Sequence, residues 1–460
     1  MKQRKSIQWM SLAICLFCAG VGAQPVVITP LHTFSGNPDG STPIGIVAGQ
    51  VDGALYGITF AGGSSDYGTI YKINRDGSNY RVLHSFSSSE TGDTGITPAF
   101  IGLSVIQGAD GALYGTTKSG GTNGNGTVFK LSNDGNFFSV LHTFDSSDAG
   151  PLNLIQSKDG TLYGGGNSTV FALNTDGGNY RVLHTLISGS EGSGLYGKLL
   201  QGSDGTLFGT AVGGGTNNDG TVFALDTNGS TFAVLHTFTN TPDGRTPVGN
   251  LMQGSDGALY GTTALGGTNG GTLGTIFKLN TDGGNYHLLH SFGGVNDGVQ
   301  PYGGLVQGLG GVLYGTTEAT QGGSALGTAF KIGPDGNGYS ILYYFAPATN
   351  GLHPYAGLVP GASAEDAGVF YGTGSSGGSS GNGTVFAMLV NPPVMITPAS
   401  YQTTSNQPVI FWPQWAFNYT LQMTTNLAST NWVTVSNAMP VTGVQVTNAP
   451  PNAYFRLIYQ

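Results

Sequence analysis

From residue 27 onward the apolar positions fall in short runs rich in Val, Ile, Leu, Tyr and Phe, broken by Gly, Asp and Asn. Runs such as Thr-Val-Phe-Lys-Leu and Tyr-Arg-Val-Leu-His-Thr-Phe suit pleated, half-buried strands. The Asp-Gly pairs between them mark hairpins. No stretch of the body carries helical periodicity with caps. The runs also repeat. Leu-His-Thr/Ser begins at Leu31, Leu83, Leu141, Leu183, Leu235 and Leu289, and degrades to Leu342-Tyr343-Tyr344 in a seventh copy. Leu-Tyr-Gly-Thr or a close variant begins at Leu55, Leu113, Leu162, Leu207, Leu259, Leu313 and Phe370. Gly-Thr-Val/Ile-Phe or a variant begins at Gly68, Gly126, Ser168, Gly220, Gly274, Gly327 and Gly383.

Each unit resolves into four strands, and seven such units predict an all-β fold, a seven-bladed β-propeller of four-stranded blades. A β-solenoid would need coils of only about 20–30 residues. The array opens with the Leu31–Phe34 strand and stops at Thr384-Val385-Phe386-Ala387. The first strand is therefore expected to complete the last blade, as its outermost member, and to close the ring. Only 42 residues separate Leu141 from Leu183, and Tyr163-Gly164-Gly165-Gly166-Asn167 replaces a longer Gly-rich loop. That copy is expected to keep four strands and lose loop. Antiparallel strands also sort the connections: Asp-Gly hairpins on one face, Gly-rich and inter-blade loops on the other. Function on such scaffolds sits on loops, so the variable face is where a site is expected.

Composition changes the picture at both ends. Residues 1–23 read as a signal peptide, with Lys2, Arg4 and Lys5 before an apolar run from Met10 to Ala19, then Val21-Gly22-Ala23. The run is short of the roughly 18 residues of a membrane span, so no transmembrane anchor is expected in the mature chain. Cys15 and Cys18, the chain's two cysteines, lie inside it. A mature chain without cysteine has no disulfide, thiolate metal site or cysteine nucleophile. Its 12 basic residues face 24 acidic ones, a net charge of −12. That balance argues against nucleic acid or anionic membrane as partner.

The combination Asp-Gly-Ala-Leu-Tyr-Gly-Thr-Thr, Gly-Thr-Val-Phe-Lys-Leu and Val-Leu-His-Thr-Phe resembles the GloVer-type tandem repeat of secreted bacterial proteins, over residues 27–389. The resemblance implies an exported repeat protein with interchangeable C-terminal attachment segments. It carries no catalytic residues over. Residues 24–390 are thus the propeller, and composition shifts at Val390-Asn391-Pro392-Pro393. Residues 391–460, with Arg456 as their one charge, read as a small β-sandwich of Ig or fibronectin-III-like kind. Trp412, Trp415 and Trp432 lie there, whereas the propeller has no tryptophan. They read as packing residues or as indoles that stack on sugar rings.

His32, His84, His142, His184, His236 and His290 share one repeat position, which fits packing on the outer strand better than catalysis. His287 and His353 stand outside the series without evident partners. Most Asp residues belong to Asp-Gly turns. Asp39, Asp93, Asp148, Asp243 and Asp297 recur in the inter-blade loops instead. Asp39, Asp243 and Asp297, with the three tryptophans, are the candidate ligand-binding residues. No loop concentrates three acidic ligands as Ca²⁺ sites do, and no metal or cofactor is expected. A glycoside hydrolase or lyase needs two carboxylates about 5–10 Å apart. The glutamates are Glu90, Glu191, Glu318 and Glu365, of which Glu191 and Glu318 could reach the variable face. No catalytic residue is assigned. The sequence favours a monomeric, non-enzymatic binding scaffold for polysaccharide or a cell-surface protein, secreted, extracellular or cell-surface, with the periplasm as the other compartment. An extracellular polysaccharide-degrading enzyme and a passive surface component are the alternatives.

Overall fold

The computed structural model describes residues 26–91, 105–146, 150–268, 271, 273–294, 297–320, 327–346, 351–361 and 368–390, and strand segments between 401 and 459. The signal segment, Asp93, Asp148, Glu365 and the three C-terminal tryptophans lie outside the described residues. Two units are present, residues 26–390 (without 363–367) forming the larger. In it, seven four-stranded antiparallel sheets follow one another, as the repeat count predicts. Blades 1 to 7 span residues 41–85, 105–143, 153–185, 200–237, 252–291, 306–344 and 359–389.

The repeat motifs explain the blade. In Leu-Tyr-Gly-Thr the glycine is fixed by its partner across the sheet. Gly261 pairs with Phe277, and a Cβ at Gly261 would strike the Phe277 ring. The wide ring shields the bare backbone, a cross-strand compensation that a larger residue would destroy. The threonines flanking these strands pair as well, Thr263 with Thr275 at 2.8 Å and Thr317 with Thr328 at 2.7 Å, in buried surroundings. The core lies between blades rather than within them: Phe208, Val222 and Phe238 of blade 4 pack with Leu251, Leu259, Phe277 and Leu279 around blade 5. A fully buried side chain of this size contributes about 1.5–3 kcal/mol.

The ring closes as the ends of the array require. Val27–Thr33 pairs antiparallel with Thr384–Leu389, with Val27 opposite Leu389 and Thr33 opposite Thr384. It is the outermost strand of blade 7. Phe34, Tyr371 and Val385 then pack with Ile46, Leu55, Tyr71 and Ile73 of blade 1, an interface like the others. The short blade 3 keeps four strands. Its second and third strands, Leu162–Gly165 and Thr169–Leu173, are joined by residues 166–168, against residues 212–220 in blade 4.

In the smaller unit, Tyr401–Thr404, Gln407–Phe411 and Gly443–Gln445 form one antiparallel sheet. Val433–Ser436, Tyr419–Thr424 and Tyr454–Tyr459 form another. Among the described residues no helix is long and apolar enough to cross a membrane.

Deleting residues 25–34 exposes the edge of Thr384–Leu389. The melting temperature should fall by about 5 °C or more, and size-exclusion chromatography should show concentration-dependent association through that edge. Unchanged melting and a monodisperse profile would refute the closure.

Candidate functional site

The inter-blade and Gly-rich loops do share one face. Residues 239–246, between blades 4 and 5, are laced to the Gly-rich loop of blade 5 by Arg245 N–Leu265 O at 2.8 Å and Gly267 N–Asn240 O at 2.8 Å. The structure gives the acids of this face a role that their sequence neighbourhood hides. In every blade the outermost strand carries a β-bulge at the residue before the histidine position, as where His236 and Val234 face Val222 and Phe223 and Leu235 is left over. A bulge re-aims the next side chain. His236 thereby reaches the connecting loop, where its Nε2 donates to Asp243 at 3.0 Å, and its ring stacks on Tyr286 of blade 5 at 3.9 Å. Tyr286 returns a hydrogen bond to the Asp243 carbonyl at 3.2 Å. His290, Asp297 and Tyr339 repeat the arrangement, and so do His32, Asp39 and Tyr80. Elsewhere the acid is glutamate and the aromatic is Phe: Glu90 with His84 and Phe138, and Glu191 with His184 and Phe232. Each clasp ties a blade, its loop and the next blade together.

Asp39, Asp243 and Asp297 are therefore internally bonded. Asp243, 8% exposed, also accepts from the Thr239 amide and hydroxyl, and Asp297, 7% exposed, from the Gly293 amide and Tyr339 hydroxyl. Burial alone would raise these carboxyls, but the hydrogen bonds from His236 and Thr239, and from His290 and Tyr339, hold both below the ordinary aspartate value. The aspartates of the opposite face do more than turn the chain. Asp256 caps Ala258 N at 3.2 Å, accepts from Tyr260 at 2.7 Å and pairs with Lys278 at 2.8 Å. Among the described residues no group of three His, Cys, Asp or Glu is placed to hold a metal.

Repeat-breaking residues gather on the axis instead. The inner segments of the blades line a channel of about 230 Å³. One tier of it is formed by Ile44, Tyr196, Val248, Tyr302 and Tyr355, and the next by Gly45, Asn153, Lys198, Asn250, Gly304 and Gly357. At the variable-face end of blade 6, Glu318 accepts from Tyr355 at 2.8 Å, and His353 Nδ1 lies 3.5 Å from the same oxygen. His353 thus has a partner that its sequence neighbourhood does not show. Burial would raise the Glu318 carboxyl; His353 and Tyr355 hold it low. Glu191 and Glu318 do not share a partner. Lys198 is recessed in the channel wall, and burial lowers its ammonium to about 8.

These features define a seven-bladed propeller with clasped blades and an axial channel. Residues 23–168 and 164–386 match the Gloeobacter/Verrucomicrobia repeat, and the chain belongs to that family. No curated protein matches it. Among solved structures it is similar to the extracellular domain of a hybrid two-component system from B. thetaiotaomicron, at 10% identity and TM-score 0.52, over 95% of this chain and 59% of that one. It also matches the extracellular domain of a one-component system from the same organism, at 10% identity and TM-score 0.50, over 94% and 59%. The nidogen/laminin complex matches at 14% identity and TM-score 0.39, over 61% and 90%.

Removing the Asp243 carboxylate leaves its donors unpaired, so Asp243→Ala should cost about 1–3 kcal/mol in urea unfolding. Because the folded carboxyl titrates below its unfolded value, its stabilisation is complete above about pH 4 and is lost as pH falls through the folded value. Asp243→Asn should accordingly flatten the acid limb of the stability profile. Lys198 has the opposite sign. Its folded value lies below that of an unfolded lysine, so stability rises between about pH 8 and pH 10.4 as the unfolded chain holds the extra proton. Lys198→Met should melt above the wild type at pH 7, and the gap should close over that interval. A constant gap would show that burial does not act on this amine.

Proposed function

We propose that the chain is an exported, monomeric, non-enzymatic propeller that binds polysaccharide or a cell-surface protein outside the cytoplasm. The observation that carries this reading is the engagement of the loop-face acids. Asp39, Glu90, Glu191, Asp243 and Asp297 each bond their own histidine and loop backbone. Acids fixed in this way stabilise a rigid platform and are poorly suited to proton transfer, which needs a group free to reach the substrate. The secretory segment at residues 1–23 and the extracellular setting of the similarly folded sensor domains support export. Residues 391–460 complete the reading as an Ig/fibronectin-III-like sandwich in which Trp412, Trp415 and Trp432 stack on neutral sugar rings.

A glycan array combined with a turnover screen on the full mature chain tests this. Binding to a polysaccharide without product release is expected, and joint replacement of Trp412, Trp415 and Trp432 by Ala should weaken it about tenfold or more, as loss of about 1.4 kcal/mol of stacking would. Turnover that disappears in Glu318→Gln would replace the reading with an enzyme of the variable face. Undiminished glycan binding in the triple variant would remove the module from it.

A further inference from the structure

We propose that the axial channel is a binding site for one small organic carboxylate, seated on Lys198 and Asn250. The repeat is strictest in the strands that pack against neighbours and loosest where side chains line the axis. At a single repeat position the described copies differ in kind: Gly45, Asn153, Lys198, Asn250, Gly304 and Gly357. On blades 6 and 7 the position is closed to side chains. A Cβ at Gly304 would lie 2.6 Å from the Asn250 carbonyl oxygen, and one at Gly357 would lie 3.1 Å from the Gly304 oxygen. Among the described residues the polar side chains at this level therefore come from blades 3 to 5.

Within that arc the hydrogen bonds sort the groups into engaged and free. Asn153 is engaged on both sides, donating to the carbonyls of Leu195 at 2.7 Å and Gly197 at 3.0 Å and accepting from the Gly165 amide at 3.2 Å. Asn250 accepts the Lys198 amide on its oxygen at 2.7 Å, which fixes the side chain and leaves its amide nitrogen to donate. Among the described residues the Lys198 ammonium has no carboxylate partner and no acidic side chain lines the channel. Enclosed charges are ordinarily paired. The Lys198 ammonium and the Asn250 amide nitrogen are thus two donors in the wall of one channel, with no carboxylate acceptor among the described residues.

The shape and the remaining walls set the class of acceptor. Ile44, Ile46, Leu152 and Val248 give the channel apolar flanks, which suit carbon rather than a fully hydrated inorganic anion. Tyr302, raised by burial and by the charge of Glu318, keeps its proton and adds a hydroxyl at the neighbouring tier. A volume of about 230 Å³ is below the roughly 300–1,000 Å³ of drug-sized pockets. That leaves room for a short carboxylic acid or a single sugar acid, which share the carboxylate that Lys198 and Asn250 would hold. The proposal uses no residue of 391–460, so it and the module reading fail independently.

The test titrates the full mature chain by calorimetry with acetate, lactate and galacturonate, with lactamide as the uncharged analogue and inorganic phosphate at matched ionic strength. One carboxylate per chain is expected, bound about tenfold or more tighter than lactamide, a difference of about 1.4 kcal/mol. Affinity should decline as pH rises above 8, where the ammonium loses its proton. Lys198→Met, verified as folded by circular dichroism, should lose about tenfold or more of this affinity. Asn250→Ala should lose part of it and keep the pH dependence. Preference between lactate and galacturonate separates the short acid from the sugar acid. Equal binding of lactamide, tighter binding of phosphate, undiminished affinity in Lys198→Met, or no carboxylate binding at millimolar concentration would each overturn the proposal.

Discussion

A propeller blade cannot bury its own faces; it needs a neighbour on each side, and only a closed ring supplies one to every blade. Here closure rests on the antiparallel pairing of Val27–Thr33 with Thr384–Leu389. That pairing completes blade 7 and brings Phe34 into the cluster with Tyr71 and Val385. It joins residues more than 350 positions apart in sequence, so forming it carries the entropic cost of closing a very long loop. The local hairpins set each blade, but the long-range pair decides whether seven sheets become one core.

The histidines extend the same logic to the other junctions, and the one junction without a histidine shows how closely their parts depend on each other. In blade 6 the histidine position holds Tyr343, and the matching aromatic position on the outer strand of blade 7 holds Ile28. The two belong to one apolar cluster with Val26 and Phe345. Both halves of the contact have changed together. A stacked imidazole needs a flat partner and an acid to hold its ring proton, whereas a phenol ring packs well on a branched aliphatic chain. The alternation of Tyr80, Tyr180, Tyr286 and Tyr339 with Phe138 and Phe232 shows that the ring's flat face is what the imidazole requires.

Much of the fold was legible because repetition multiplies weak signals. One Leu-Tyr-Gly-Thr run says little; seven in register with two other series specify blade number, strand order, the closing strand and the face each loop occupies. The acids were harder to read. Asp39, Asp243 and Asp297 stand seven residues after a histidine, a spacing that means nothing in an extended strand and becomes a contact only because a bulge turns the imidazole toward the loop. Glu318 and His353 lie 35 residues apart and meet through the winding of two blades. Lys198 was invisible for another reason: its place in the channel wall, without a carboxylate partner among the described residues, is a property of the assembled ring.

The register of the closing pair also fixes how the ring responds to force. Val27 and Leu389 are direct partners, and in an antiparallel pair they stand at the same end of the two strands. Tension applied between residues 27 and 389 therefore pulls adjacent strand ends apart. It loads the hydrogen bonds of the ladder one after another, as a zipper is loaded, rather than all at once in shear. The bond that makes the ring a single body is, along that direction, the one that opens first, and a rim that resists heat and denaturant cooperatively would yield to traction stepwise from that point.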